Sequence, residues 1–249
     1  MIVRRLILLS WIALILTSPA LVLAEDAGEA GARGPVTVSI FEQYVKKGGI
    51  ITWCILIPLS VAMVALAIEH FVSIRRSTIL PEPVVGEVTT HVENKRYQEA
   101  KTVASSDPSF FSYLINAALN EAPNGFASME RAIEEASEER TTKLFRKIEF
   151  LNLIGNVAPM IGLFGTVSGM IIAFNDIRGA ANIADAAADG IGTALITTFW
   201  GLLIAIPALT IYAVVRNKID ALAAEATLRA DELLGTMRQQ YKETKGKRT

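Results

Sequence analysis

The side chains whose types and spacing could do chemistry are four threonines set in two uncharged, apolar runs: Thr166 within 150–175, and Thr193, Thr197 and Thr198 within 190–215. On an isolated helix such hydroxyls bond the carbonyls of their own turn or pack between helices. Enzyme chemistry has no comparable foothold. The chain holds two histidines, His70 and His91, and one cysteine, Cys54, with no HExxH, no phosphate-cradling GxxxxGK[ST] and no GxGxxG after a strand. The sequence therefore points away from an enzyme and calls for no cofactor and no metal. A single cysteine excludes an internal disulfide, and inside an apolar run Cys54 reads as a small buried hydrophobe. His70 beside Glu69 reads as the snorkelling or paired end of a span, and His91 as a surface residue. Glu134, Glu135, Glu138 and Glu139 resemble an acidic site, but Glu139 stands four residues before Lys143 and predicts a solvated, ion-paired helix face.

The elements that must position the threonines are the two runs themselves. A hydrocarbon core about 30 Å thick needs roughly 20 helical residues, so each run is long enough to span a bilayer. The short stretch 176–189 between them makes an antiparallel hairpin. Neither run has the Leu, Ile and Val on every side of a plain lipid anchor. Gly162, Gly165 and Gly169 in the first and Gly201 in the second recur at near-helical spacing, and Gly165 with Gly169 forms a GxxxG that lets backbones approach. Pro159 and Pro207 each free a backbone carbonyl, which places them at a protein-facing or hydrated seam.

The stretch Asn156-Val157-Ala158-Pro159-Met160-Ile161-Gly162-Leu163-Phe164-Gly165-Thr166-Val167-Ser168-Gly169-Met170 resembles the second span of the ExbB/TolQ family, within the MotA/TolQ/ExbB proton channels. Gly190 to Thr198, followed by Gly201 to Ala208, resembles its third. The resemblance implies a homo-oligomeric, pentameric ring around a dimer of a single-span ExbD/TolR-like protein, driven by proton flow, with a TonB-like or TolA-like protein as a further partner. It maps the family's pore threonines onto Thr166 and Thr198 and brings Thr193 and Thr197 to the same pore wall. Where well-known members carry a glutamate this chain has Thr193, so the resemblance implies that the titrating group is the partner's aspartate. A MotA-like stator subunit and a non-conducting membrane scaffold are the alternatives.

The remaining chain fits an all-α, polytopic membrane protein with three transmembrane helices extended into a cytoplasmic helical domain. Its 249 residues are 51% hydrophobic and 20% charged, too apolar for an ordinary soluble domain, and 24 basic against 25 acidic residues leave no footprint for nucleic acid. Residues 1–24, with Arg4 and Arg5 before an apolar core and Ala24 at the cleavage position, predict a signal peptide. Residues 25–49 form a periplasmic segment whose Ile40, Phe41, Tyr44 and Val45 suit an interfacial helix. A first span covers 50–74, with Trp53 near its outer end. Basic residues at Arg75, Arg76, Lys143, Arg146, Lys147, Arg216 and Lys218, against Arg178 alone in the 176–189 periplasmic loop, set the orientation. The mature N-terminus is then periplasmic and the C-terminus cytoplasmic, in a bacterial inner membrane with lipid around it.

Residues 75–149 read as a cytoplasmic helical domain, with Asp107 as an N-cap and Pro108 opening the helix after it. The spans follow at 150–175 and 190–215. The tail, 216–249, keeps helical spacing through Ile219, Leu222, Ala226, Leu233 and Met237, which predicts an amphipathic continuation packed on the helix that precedes the second span.

Overall fold

A computed structural model describes residues 51–177 and 183–246. The predicted signal peptide, the periplasmic segment with its interfacial helix, and Arg178 lie outside the described residues, as do the side chains of Asp176, Asp185 and Asp189. The described residues are mostly helical, with no strand among them, and three helices are long and apolar enough to cross a membrane.

Helix α1 is Thr52–Ser73. Its first turn, Thr52–Leu56, is π-helical, with the Ile57 N–H donating to the Thr52 carbonyl. Pro58 supplies the reason, because its missing N–H and its ring exclude an ordinary bond to the Cys54 carbonyl and the ladder widens before it. Four short helices follow: α2 Arg76–Ile79, α3 Glu82–Glu93, α4 Tyr97–Ser106 and α5 Phe110–Asn120. Gly125, at φ 94°, makes the left-handed turn into α6, a conformation that glycine adopts without a Cβ clash.

Helix α6, Phe126–Ile177, has 52 residues and α7, Ile183–Gly246, has 64. At 1.5 Å per residue they run about 78 and 96 Å, far more than a bilayer needs, so both continue outside it. Of the stretch 176–189 expected as a loop, the described residues belong to the ends of α6 and α7. Asp185 and Asp189 belong to α7, because the Ala-rich sequence between them favours helix over loop.

Outside the membrane the apolar stripe of α7 lies on that of α6, as its periodicity predicts. Ile133 and Ile148 of α6 join Ile219 and Ala226 of α7 in one buried cluster, closed by Phe111 and Leu114 of α5. The Ser137 and Thr227 hydroxyls bond each other across the helices at 2.8 Å, and Arg238 pairs with Glu130 at 3.3 Å. Arg76 ties three elements together, meeting Glu82 of α3 at 2.5 Å and Glu225 of α7 at 2.7 Å. The expected pair Glu139–Lys143 forms, and Glu139 also accepts a 2.7 Å bond from Tyr113.

The cap of α5 differs from its sequence reading. Ser109, not Asp107, is the N-cap: its Oγ accepts the Ser112 N–H at 3.2 Å. Asp107 supports that cap from outside the helix, accepting from the Ser112 hydroxyl at 2.6 Å and the Ser109 N–H at 3.2 Å. Burial pushes the Asp107 carboxyl up, but its bonds from Ser109 and Ser112 together outweigh that and hold it below the usual range.

Candidate functional site: the glycine seam between the two long helices

At membrane depth the contact between α6 and α7 is made of residues too small to keep the backbones apart. A Cβ on Gly201 would lie 2.7 Å from the Ala158 carbonyl oxygen and 3.2 Å from the Gly162 Cα. One on Gly162 would meet the Thr198 Cα at 3.1 Å, and one on Gly169 the Ala194 Cβ at 3.0 Å. Each step up α6 is matched by a step down α7, from Gly155 against Leu209 to Ala173 against Gly190. This is a straight antiparallel seam. Gly162, Gly165, Gly169 and Gly201 all stand in it, and Pro159 and Pro207 flank it as half-buried residues. Without a hydrophobic drive between helices in lipid, such close van der Waals approach is what holds them together.

The threonines gather at one level of this seam. Thr198 donates its hydroxyl to the Gly162 carbonyl across the helices at 3.2 Å. Thr166, one turn above Gly162, donates to the Leu163 carbonyl at 2.6 Å and stays partly open. Thr197 sits differently from the wall position expected of it. It is 3% exposed, bonds the Ala194 carbonyl at 2.7 Å and fills the space over Gly165, whose Cβ would fall 2.6 Å from its hydroxyl oxygen. Within the subunit Thr197 is closed between the helices because Gly165 has no side chain to exclude it. Thr193 lies one turn before Thr197 on α7 and is half-buried. From 150 to 175 and from 190 to 215 the two helices carry no charged residue.

Two polar residues that the sequence patterns do not single out extend the site along α6. Asn156 donates to the Asn152 carbonyl and side-chain oxygen at 2.8 and 2.9 Å, and Asn152 donates to Glu149 Oε1 at 2.8 Å. The available signal was their spacing of three and four residues beginning at the edge of the apolar run.

The other candidate groups fall elsewhere. His70 is 3% exposed and its Nε2 has no hydrogen-bond partner among the described residues, so it does not snorkel. It lies on the side of α1 that carries buried Met63 and Ala67, which turns it into the bundle. His91 is half-buried rather than on the surface, with Nδ1 3.1 Å from Glu99 Oε2. Cys54 is exposed on α1, not buried, since an apolar side chain facing lipid gains nothing from protein cover. No group of three or more His, Cys, Asp or Glu side chains among the described residues is placed to hold a metal ion.

Comparison with known proteins agrees with this geometry. The sequence profile of the MotA/TolQ/ExbB proton channel family matches residues 105–227, which take in α5, α6, α7 as far as residue 227 and the whole seam. The chain is 30% identical over 176 residues to a biopolymer transport ExbB homolog of Methanothermobacter thermautotrophicus, covering 70% of this chain and 62% of the relative. It is 34% identical over 111 residues to the Tol-Pal system protein TolQ of Haemophilus influenzae, covering 44% and 49%. An ExbB-like biopolymer transport protein of Helicobacter pylori is 32% identical over 119 residues, 47% of this chain and 78% of that relative. The chain thus spans from about half to three quarters of the length of these relatives. With the two glycine-laced spans, the threonine level between them and these matches in agreement, the chain belongs to the MotA/TolQ/ExbB proton channel family.

Proposed function

We propose that this protein is the ring subunit of an inner-membrane motor that couples proton flow to movement of a single-span, ExbD/TolR-like partner, energising transport or envelope processes. The observation that carries the reading is the threonine level. Thr166 and Thr198 present hydroxyls beside a seam tight enough to fix their positions, in a stretch of two helices free of charge. In the apolar 18-residue stretch of α6 only 28% is buried within the subunit, and Leu163, Phe164 and Leu195 are exposed, which leaves surface for neighbouring copies as well as lipid. A ring, pentameric as in the family resemblance, would bring successive α6–α7 hairpins round a central space.

In this reading Thr166, Thr193 and Thr198 line the pore while Thr197 locks the hairpin. A partner carboxylate at that level costs about 2.5–3.5 kcal/mol at the bilayer centre unless hydroxyls or water meet it. One charge crossing 100 mV yields about 2.3 kcal/mol, the same order, so protonation and release can shift the partner between positions in the ring. The basic flanks support an outside N-terminus and a cytoplasmic C-terminus. Thr193, in place of an acidic residue, favours a second reading, a non-conducting scaffold. Reconstitution separates the two. Liposomes holding the chain with its single-span partner should carry protons under an imposed gradient, and the partner's intramembrane Asp→Asn variant should stop them. A correctly assembled complex no leakier than empty liposomes would refute the motor.

A further inference from the structure

One flank of α6 is polar where the membrane-facing side of a span should be apolar. Glu149, Asn152, Asn156, Pro159 and Thr166 follow one another in steps of three, four or seven, so they share a stripe that ends at the threonine level. Hydrogen bonds join the lower three, from Asn156 through Asn152 to Glu149. Pro159 has no N–H, so the Gly155 carbonyl loses its donor between Asn156 and Thr166. Asn156 lies six residues inside the uncharged run, about 9 Å along the helix, and is exposed. On the same helix Phe150, about 120° round from Asn156, and Leu153 and Phe164, about 60° and 80° from it, are exposed and suit lipid.

Polar side chains at this depth face a water-filled cavity or the interior of a bundle. A dry neighbour would have to strip the exposed Glu149 carboxylate and leave the Gly155 carbonyl without a partner, whereas water entering at Glu149 serves both. We propose that Glu149, Asn152 and Asn156 wall a hydrated vestibule that forms the cytoplasmic half of the conducting path, linking the threonine level to the cytoplasm. The vestibule rests on the motor reading for its purpose, but its hydration can be measured without any ion flow.

The test uses the full chain with its partner in inverted membrane vesicles, in a Cys54→Ser background because Cys54 is itself exposed. A membrane-impermeant maleimide added to the cytoplasmic side should modify Asn156→Cys at least about tenfold faster than Leu153→Cys on the lipid face. Equally slow modification of both, or modification of Asn156→Cys from the opposite side alone, would overturn the vestibule. In a conducting complex Asn156→Leu should slow proton flux about tenfold while Asn156→Ser preserves it, and unchanged flux in Asn156→Leu would take these residues off the path. The two failures are distinguishable. A reactive Asn156→Cys in a complex that never conducts keeps the vestibule and sinks the motor, and an unreactive one in a conducting complex does the reverse.

Discussion

Replacing Gly201 with alanine should push the two long helices apart. The new Cβ would stand 2.7 Å from the Ala158 carbonyl oxygen, where ordinary contact begins near 3.4 Å, so the seam must open by roughly 0.7 Å. The obstacle is backbone, which cannot swing aside as a side chain can. Forcing an extra methyl into such packing costs about 1–3 kcal/mol, and the better helix propensity of alanine returns about 1, leaving a net loss of up to about 2 kcal/mol. Gly192→Ala is the matched control, because a Cβ there meets nothing within 4 Å. Thermal unfolding of the purified chain in detergent should show Gly201→Ala destabilised and Gly192→Ala neutral or slightly stabilised. Equal stability of Gly201→Ala and wild type, or the same shift in both variants, would refute backbone contact as the basis of the seam.

Three further outcomes follow from the geometry. Phe111 and Leu114 are fully buried where α5 meets α6 and α7, so Phe111→Ala should cost about 3–5 kcal/mol in the same unfolding assay. Ser109→Ala removes the N-cap of α5 and should cost about 1 kcal/mol, with amide exchange quickening at Ser112. The folded-state pKa of Asp107 is depressed, so the unfolded chain binds more protons; the stabilisation is complete above about pH 4 and is lost as pH falls through the lower folded value, a slope that Asp107→Asn should flatten.

The spans, their hairpin and the glycine seam were legible because small residues at helical spacing inside an uncharged run have few other uses. Gly162, Gly165 and Gly169 face α7 as their periodicity requires. The tail's docking on α6 was legible for the same kind of reason, an apolar stripe in need of cover. What could not be read were facts of side-chain direction. Asp107 and Ser109 are both good caps, and the choice rests on Ser109 adopting an extended backbone that aims its hydroxyl at the Ser112 N–H. Thr197 and Thr198 are neighbours of one type, yet a helix turns them about 100° apart, so one is sealed in the seam and the other reaches its edge. Cys54 was misjudged because apolar character inside a span does not tell lipid from protein. The polar stripe of Asn152 and Asn156 could not be read, although Asn156 opens the family-like stretch, because their bonds to each other and to Glu149 depend on rotamers that spacing alone does not set.

The central claim is that the threonines beside the glycine seam, and not hydroxyls in general, serve ion flow. Proton flux into liposomes holding the chain and its single-span partner should be compared across Thr166→Val, Thr198→Val and Thr210→Val, the last removing a hydroxyl that bonds the Ile206 carbonyl at 2.8 Å on an exposed side of α7. The account predicts that the first two abolish flux with assembly intact and that Thr210→Val conducts like wild type. Undiminished flux through Thr166→Val and Thr198→Val would contradict it.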